Sequence, residues 1–312
     1  MMDFETFVKL VREEIVNWLP EEFKSAEISV ETVTKTNDIE HVGLMIRTDR
    51  NIAPNIYLEA FYNMYQDGES LRNILEEIAQ IRVELEADED ININDLLDFD
   101  KCKDRILPQL ISAEWNHEQL NKRPHMILED LAVVFYAHLQ DSAPGNEANM
   151  RITNEHLGLW KTTPEELYDL ALRNLENSKN GVFESMEKVM EELMFHAIKK
   201  ENSEKSETAD YKLCQPSETD YMFIVTNKNK VNGASELLDK RFMNSICGLL
   251  GCDIYILPSS IHECIIIPST EEVNVHALKR MVREVNRYEV AEDERLSDSV
   301  YIYSVDLGFK LA

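Results

Sequence analysis

An α+β protein is predicted from three features of the sequence. Strand-like apolar runs recur to the C-terminus, amphipathic helical stretches lie between them, and residues 218–312 follow a regular order of strand, helix, strand, strand, helix, strand. That closing order is the split β-α-β, or ferredoxin-like, plan. The β-α-β-β-α-β module is expected to pack on a mixed α/β N-terminal region, residues 1–198, with a further division near residue 100 as an alternative. Residues 199–217 (KKENSEKSETADYKLCQPS) are polar and aperiodic, and read as a linker or long surface loop.

Along the chain, Phe4, Phe7, Val8, Val11, Ile15 and Trp18 share one helical face, so residues 3–18 are read as a helix closed by Pro20. Strands are expected at Ala26–Thr34 and His41–Arg47. Helices are expected at Asn55–Tyr65, Ser70–Leu85 and Lys101–Asn116. The β-branched centre of Leu128–Leu139 reads as a buried strand, Pro144-Gly145-Asn146 as a turn, and Met150–Thr153 as a short returning strand. Thr163-Pro164-Glu165-Glu166 is a helix start, with Thr163 as cap, Pro164 at the first position and Glu166 reaching back. In the last third, strands at Tyr221–Thr226, Asp253–Leu257, Cys264–Ile267 and Val300–Val305 alternate with helices at Ala234–Leu250 and Val275–Tyr288. The strands DIYIL and CIIIP are apolar on both faces. An open ferredoxin-like sheet covers one face with its helices, so the second face must pack on the N-terminal region or on another copy.

The 312 residues are 44% hydrophobic, enough to bury one large core or two or three smaller ones. No stretch approaches the roughly 18 to 20 apolar residues of a membrane span, and Met1–Leu10 carries Asp3 and Glu5 without a basic region and apolar core, so no secretory leader is expected. Five cysteines, an odd number in a long chain, point to reduced thiols and a cytoplasmic setting. The formal charge is −27. Residues 1–100 hold 24 acids and 8 bases, and Glu84–Asp100 holds eight acids and no base. Such a surface repels nucleic acid and anionic lipid, which excludes direct binding to either and leaves a basic protein partner as the complementary one. A plain solubility face has the same composition.

Several segments carry a resemblance that spans nearly the whole chain: NIYLEAFYNMYQDG (55–68), RPHMILEDLAVVFY (123–136), NEHLGLWKTTPEELYDLALRN (154–174), TNKNKVNGASELLD (226–239), ILPSSIHECIIIP (256–268) and LSDSVYIYS (296–304). The chain resembles an uncharacterised bacterial family of Gram-positive anaerobes, a domain of unknown function carrying the ILPSSIHE string. The HLGLWKTTPEELYDLALRN segment is also similar to a broader uncharacterised bacterial family. The resemblance implies a cytoplasmic protein and brings no activity or catalytic residues with it.

The densest polar constellation is Pro258-Ser259-Ser260-Ile261-His262-Glu263. A hydrolytic triad needs a base that reaches the nucleophile and a third group that orients the base. Neighbours on a strand point to opposite faces, so His262 and Glu263 cannot relay together. A site here would recruit Asn227, Asn232 or Asp298, making Asn227, Asn232, Ser259, Ser260, His262 and Asp298 the candidate cluster. The competing reading is a hairpin whose serines bond turn backbone. The stretch Asn227–Gly233, with Lys228 and Lys230 before a helix, could attract an anion but lacks a phosphate-loop pattern. No HExxH or paired CxxC occurs, Cys247 and Cys252 have no second pair, and no metal or cofactor is expected. Asp88, Asp90 and Asn92 match the opening of a calcium loop, but Ile93 and Phe99 occupy the positions of its Gly and Glu. Trp115, Trp160 and the tyrosines of NIYLEAFYNMY read as core. Three readings stay open: a non-enzymatic interaction or regulatory protein, an enzyme of unknown class with a site near the 256–263 hairpin, and a nucleic-acid mimic built on residues 84–100.

Overall fold

The computed structural model describes residues 2–50, 53–86, 93–140, 148–198, 210–217, 220–269 and 273–312. The turn at Pro144-Gly145-Asn146, most of the expected linker (199–209) and the Asp88, Asp90, Asn92 spacing lie outside them. The chain divides into two units, Met1–Asn94 and Asp95–Ala312. The architecture is mixed α and β, with several sheets.

In the first unit, helix α1 (Phe4–Glu14) is capped by Asp3, whose carboxylate accepts from Thr6 N. Strands β1 (Glu27–Thr34), β2 (Glu40–Arg47) and β3 (Asn55–Tyr57) form an antiparallel sheet in the order β1-β2-β3. Helices α2 (Leu58–Gln66) and α3 (Leu71–Glu84) follow. Residues 55–57 therefore extend the sheet before the aromatic helix begins, because Ile56 pairs with Leu44 and buries there. Phe7, Val11, Leu44, Ile46, Ile74 and Ile78 anchor the core. Arg82 is fully buried with them. It is tolerated because Nε donates to Ile46 O (2.9 Å), the guanidinium pairs with Glu86, and its plane lies over the Phe23 ring at 4.8 Å.

In the second unit, α4 (Ile93–Leu97) and α5 (Phe99–Cys102) lead into β4 (Ile106–Ser112). The helix expected over 101–116 is mostly this strand. Ile106, Pro108 and Leu110 alternate inward with a period of two, and Pro108 is accepted because β4 is an edge strand. Next come α6 (His117–Lys122), β5 (His125–Leu128), the ten-residue β6 (Leu131–Gln140) and β7 (Ala148–Arg151). Strand β6 is central to a four-stranded sheet, pairing β4 on one side and β5 and β7 on the other. Helix α7 (Asn154–Trp160) precedes α8 (Pro164–Ser178), which starts as the sequence predicts: Thr163 Oγ1 accepts from Glu166 N (3.2 Å) and Glu166 Oε2 from Thr163 N (3.0 Å).

The remaining elements are β8 (Gly181–Ser185), α9 (Met186–Ile198), β9 (Lys212–Leu213), β10 (Phe223–Asn227), a 3-10 segment (Gly233–Leu238), α10 (Lys240–Leu250), β11 (Ile254–Leu257), β12 (Cys264–Pro268), α11 (Val275–Tyr288), β13 (Tyr301–Ser304) and β14 (Gly308–Leu311). The expected order of strands and helices over 218–301 is present, but the sheet differs from a ferredoxin-like one. It has seven strands in the order β14-β13-β11-β12-β10-β8-β9, and strands from both sides of the 199–217 segment share it. The β11–β12 hairpin sits at the centre with β10 and β13 outside it. The two crossovers, β10 to β11 and β12 to β13, thus step the same way across the sheet from strands that run oppositely. Right-handed crossovers of that kind must place their helices on opposite faces.

The packing agrees. Ile254, Ile256, Cys264 and Ile266 face Phe242 and Ile246 of α10, together with Leu110, Val133 and Phe135 of the four-stranded sheet and Leu167 and Ala171 of α8. Leu257, with Tyr255, Ile265 and Ile267, faces Leu278 and Val282 of α11. The preceding portion of the chain therefore covers the second face of the two-sided strands. Burying each such Ile or Leu side chain contributes roughly 1.5–3 kcal/mol.

One carboxylate ties the unit's ends together. Asp130, beside Glu129 with φ 57° in the β5–β6 turn, accepts from Ser297 Oγ (2.9 Å), Ser299 Oγ (2.8 Å) and Tyr301 OH (2.7 Å). Asp130→Ala leaves three hydroxyls without this acceptor and is expected to lower the free energy of unfolding by about 3 kcal/mol, against about 1 kcal/mol for Tyr301→Phe. Urea unfolding of both variants checks the ranking.

Candidate functional site

The residues around the 256–263 hairpin are placed by the end of β10 and the 3-10 segment. Asn227, the last residue of β10, folds back on its own loop. Its Nδ2 donates to Val231 O (2.7 Å) and its Oδ1 accepts from Val231 N (3.2 Å). Lys230 and Asn232 both adopt positive φ, 57° and 54°, and Asn tolerates this region better than most side chains. Asn232 then bridges two elements: Oδ1 accepts from Gln109 Nε2 of β4 (2.9 Å), and its backbone N–H donates to His262 Nδ1 (3.1 Å). The neutral imidazole proton is therefore on Nε2, which points towards exposed Glu294 at 3.8 Å. Thr226 Oγ1 donates to His262 O (2.8 Å).

Gly233 fits where no side chain would. A Cβ there would collide with Thr226 Oγ1 and His262 O, and would come within 2.7 Å of Asn227 N. This close approach lets Ala234 N donate to Ile261 O (3.2 Å), locking the 3-10 segment to the hairpin. Ser260 Oγ accepts from His262 N (3.0 Å) and Glu263 N (3.2 Å) and is buried.

Asn227, Asn232, Ser260 and His262 thus meet at one junction. Ser259 and Asp298 do not join it. Ser259 lines a small apolar cleft with Leu257, Ile265, Met281 and Asn286, with interior room of about 30 Å³, the space of a single water. Asp298 is exposed and accepts from Asn286 Nδ2 (2.9 Å). Chemically, the junction holds backbone: the Ser260 oxygen faces two peptide N–H groups, and the His262 nitrogen nearest the chain accepts a third. Lys228 is committed as well, with Nζ donating to Lys179 O (3.1 Å).

A second constellation went unread in the sequence. Asp239, fully buried, interrupts the helix expected over 234–250 and caps α10 through Oδ1 to Arg241 N (2.9 Å) and Phe242 N (3.1 Å). Its Oδ2 accepts from Tyr211 OH (2.6 Å), and burial together with that bond pushes the phenol above its usual range. An Asp before Lys-Arg-Phe is an N-cap signal that could have revealed the break. One turn earlier, Glu236 is 1% exposed and its Oε2 has no hydrogen-bond partner among the described residues. Burial first, and then the Asp239 charge, pushes its carboxyl up to about 8, against a smaller opposing pull from Lys228. Of the cysteines, Cys102, Cys247 and Cys264 are buried, and burial raises the Cys247 thiol to about 11. Among the described residues no group of three His, Cys, Asp or Glu side chains could hold a metal ion, and no helix is long and apolar enough to cross a membrane.

The fold and junction define an α+β protein whose second unit is built on a mostly antiparallel sheet covered on both faces. The chain belongs to a family of unknown function (DUF5688), which matches residues 4–305. No curated protein matches it, and no solved structure does.

Two variants test this anatomy. Gly233→Ala forces the 3-10 segment off the hairpin and is expected to cost at least 2 to 3 kcal/mol, seen as a lowered Tm. Glu236→Gln removes a carboxyl whose pKa is higher folded than unfolded. The native protein should lose stability as pH rises from about 4.5 to about 8, because only its unfolded state deprotonates freely in that window. The Tm advantage of Glu236→Gln should therefore grow across that window and level off above it; a constant difference would contradict the burial described.

Proposed function

We propose that this is a non-enzymatic interaction or regulatory protein of the cytoplasm, whose acidic first unit meets a basic protein partner. The observation that carries the reading is the commitment of the hairpin's polar groups. The side chains of Asn227, Ser260 and His262 bond backbone and that of Asn232 accepts from Gln109 Nε2, and this leaves the nucleophile and base types without a shared reacting position. The cleft beside the hairpin, with room of about 30 Å³, is far below the roughly 300–1,000 Å³ of sites that take small molecules, and the larger groove, of about 580 Å³, lies in the first unit. Many acids of the first unit, by contrast, are outward: Glu13, Glu14, Glu21, Glu22, Glu31 and Glu40 are all exposed. Surface charge of one sign attracts an oppositely charged partner over about 10 Å at about 0.1 M salt.

The test is affinity capture with the full chain at about 50 mM and about 500 mM salt, where screening separates surface electrostatics from apolar contact. A basic partner is expected at low salt and reduced recovery at high salt, with Ser260→Ala and His262→Ala capturing it unchanged. An empty low-salt capture would count against the reading.

A further inference from the structure

The edges of the sheets are closed unequally. In the second unit, β4 carries Pro108, β9 is two residues long and β14 four. Prolines and short lengths are how natural sheets refuse another strand. In the first unit, β1 is an edge strand of eight residues with no Pro, pairing only β2 among the described residues. Residues 27–33 present about 23 Å of edge that pairs on one side only among the described residues.

A groove of about 580 Å³ runs beside this edge, between α1 and β1. Val8 of α1 and Ile28 and Val30 of β1 supply its apolar lining. Lys9 and Arg12 stand on its rim, and so do Glu5 and Glu13. Ile28 and Val30 lie opposite Ile46 and Leu44, so they share the core-facing side of the sheet. Alternation sends Glu27, Ser29 and Glu31 to the other side, where Glu27 and Glu31 are exposed; Arg47 of β2 lies opposite Glu27, and Glu31 lies opposite Gly43.

Resting on the reading of an interaction protein with a basic partner, we infer that the β1 edge is the docking site, and that it takes an extended segment alternating apolar with Lys or Arg side chains by strand addition. Backbone hydrogen bonds supply the affinity, and alternate side chains the selectivity. The apolar residues of the added strand fall against Val8, Ile28 and Val30. Its basic residues fall on the opposite face, beside Glu27 and Glu31, where opposite charges across neighbouring strands are favourable.

The probe is a labelled ten-residue peptide alternating Val with Lys, titrated against the full chain by fluorescence anisotropy. Its controls are the same peptide N-methylated at alternate amides and a Val/Glu peptide. The Val/Lys peptide is expected to bind at least tenfold tighter than either. Glu27→Lys with Glu31→Lys should reverse the preference, so that the variant gains affinity for the Val/Glu peptide; this gain shows that the variant is folded. Equal binding of the N-methylated peptide would overturn strand addition and leave simple adhesion to an acidic surface. No peptide binding alongside successful capture of a basic partner would also overturn the β1 site while sparing the broader reading. Sedimentation showing a dimer abolished by the double variant would assign the edge to a second copy and overturn the proposal as well.

Discussion

The second unit depends on a central hairpin that is apolar on both sides. Strands β11 and β12 offer Ile254, Ile256, Cys264 and Ile266 to one face and Leu257, Ile265 and Ile267 to the other. Water can be excluded from such a pair only if something packs above and below it. Helix α11 supplies one cover. The other is composite, drawn from α10, α8 and the four-stranded sheet. The placement of β10 and β13 outside the hairpin follows from the same demand, since it sends the two crossover helices to opposite faces.

Polar side chains then hold these layers in register. Asn227 and Asp239 spend their side-chain oxygens and nitrogens on turns and caps where backbone groups would otherwise be buried unpaired, and Asn232 accepts from the Gln109 side chain of β4. Asp130 gathers three hydroxyls from the last strands. Gly233 allows two chain segments to touch where any side chain would part them. In this light the Ser, His and Asn residues of the hairpin region are a joint between elements, and the exposed acids of the first unit are the groups left facing outward.

The helical periodicities of α1, α3, α8 and α11 and the two-sided apolarity of β11 and β12 were legible, because each depends on local spacing alone. The capping box at Thr163 was legible for the same reason. The strand at 106–112 was not: its alternation is short, it contains Pro108, and only its edge position makes that proline acceptable. The break at Asp239 carries a capping signal, but Leu237, Leu238, Phe242 and Ile246 continue a helical spacing across it and outweigh that signal. Strand order could not be read either, since β8 joins β10 through contacts between distant segments. For the same reason proximity in sequence misled at Ser259, which turns towards α11 while Ser260 turns towards the junction. Asp130 gave no local sign of its role, for its partners lie 167 to 171 residues away.

That separation has a kinetic consequence. A carboxylate whose partners lie beyond residue 296 meets them only when the long loop between them closes, and the same delay applies to β13 and β14. Closing so long a loop is slow relative to forming local helices. If the four-stranded sheet and α8 form ahead of that closure, Val133, Phe135 and Leu167 stand uncovered until it happens. The interval most open to aggregation is then the one before the loop closes, when half of a core stands without its cover.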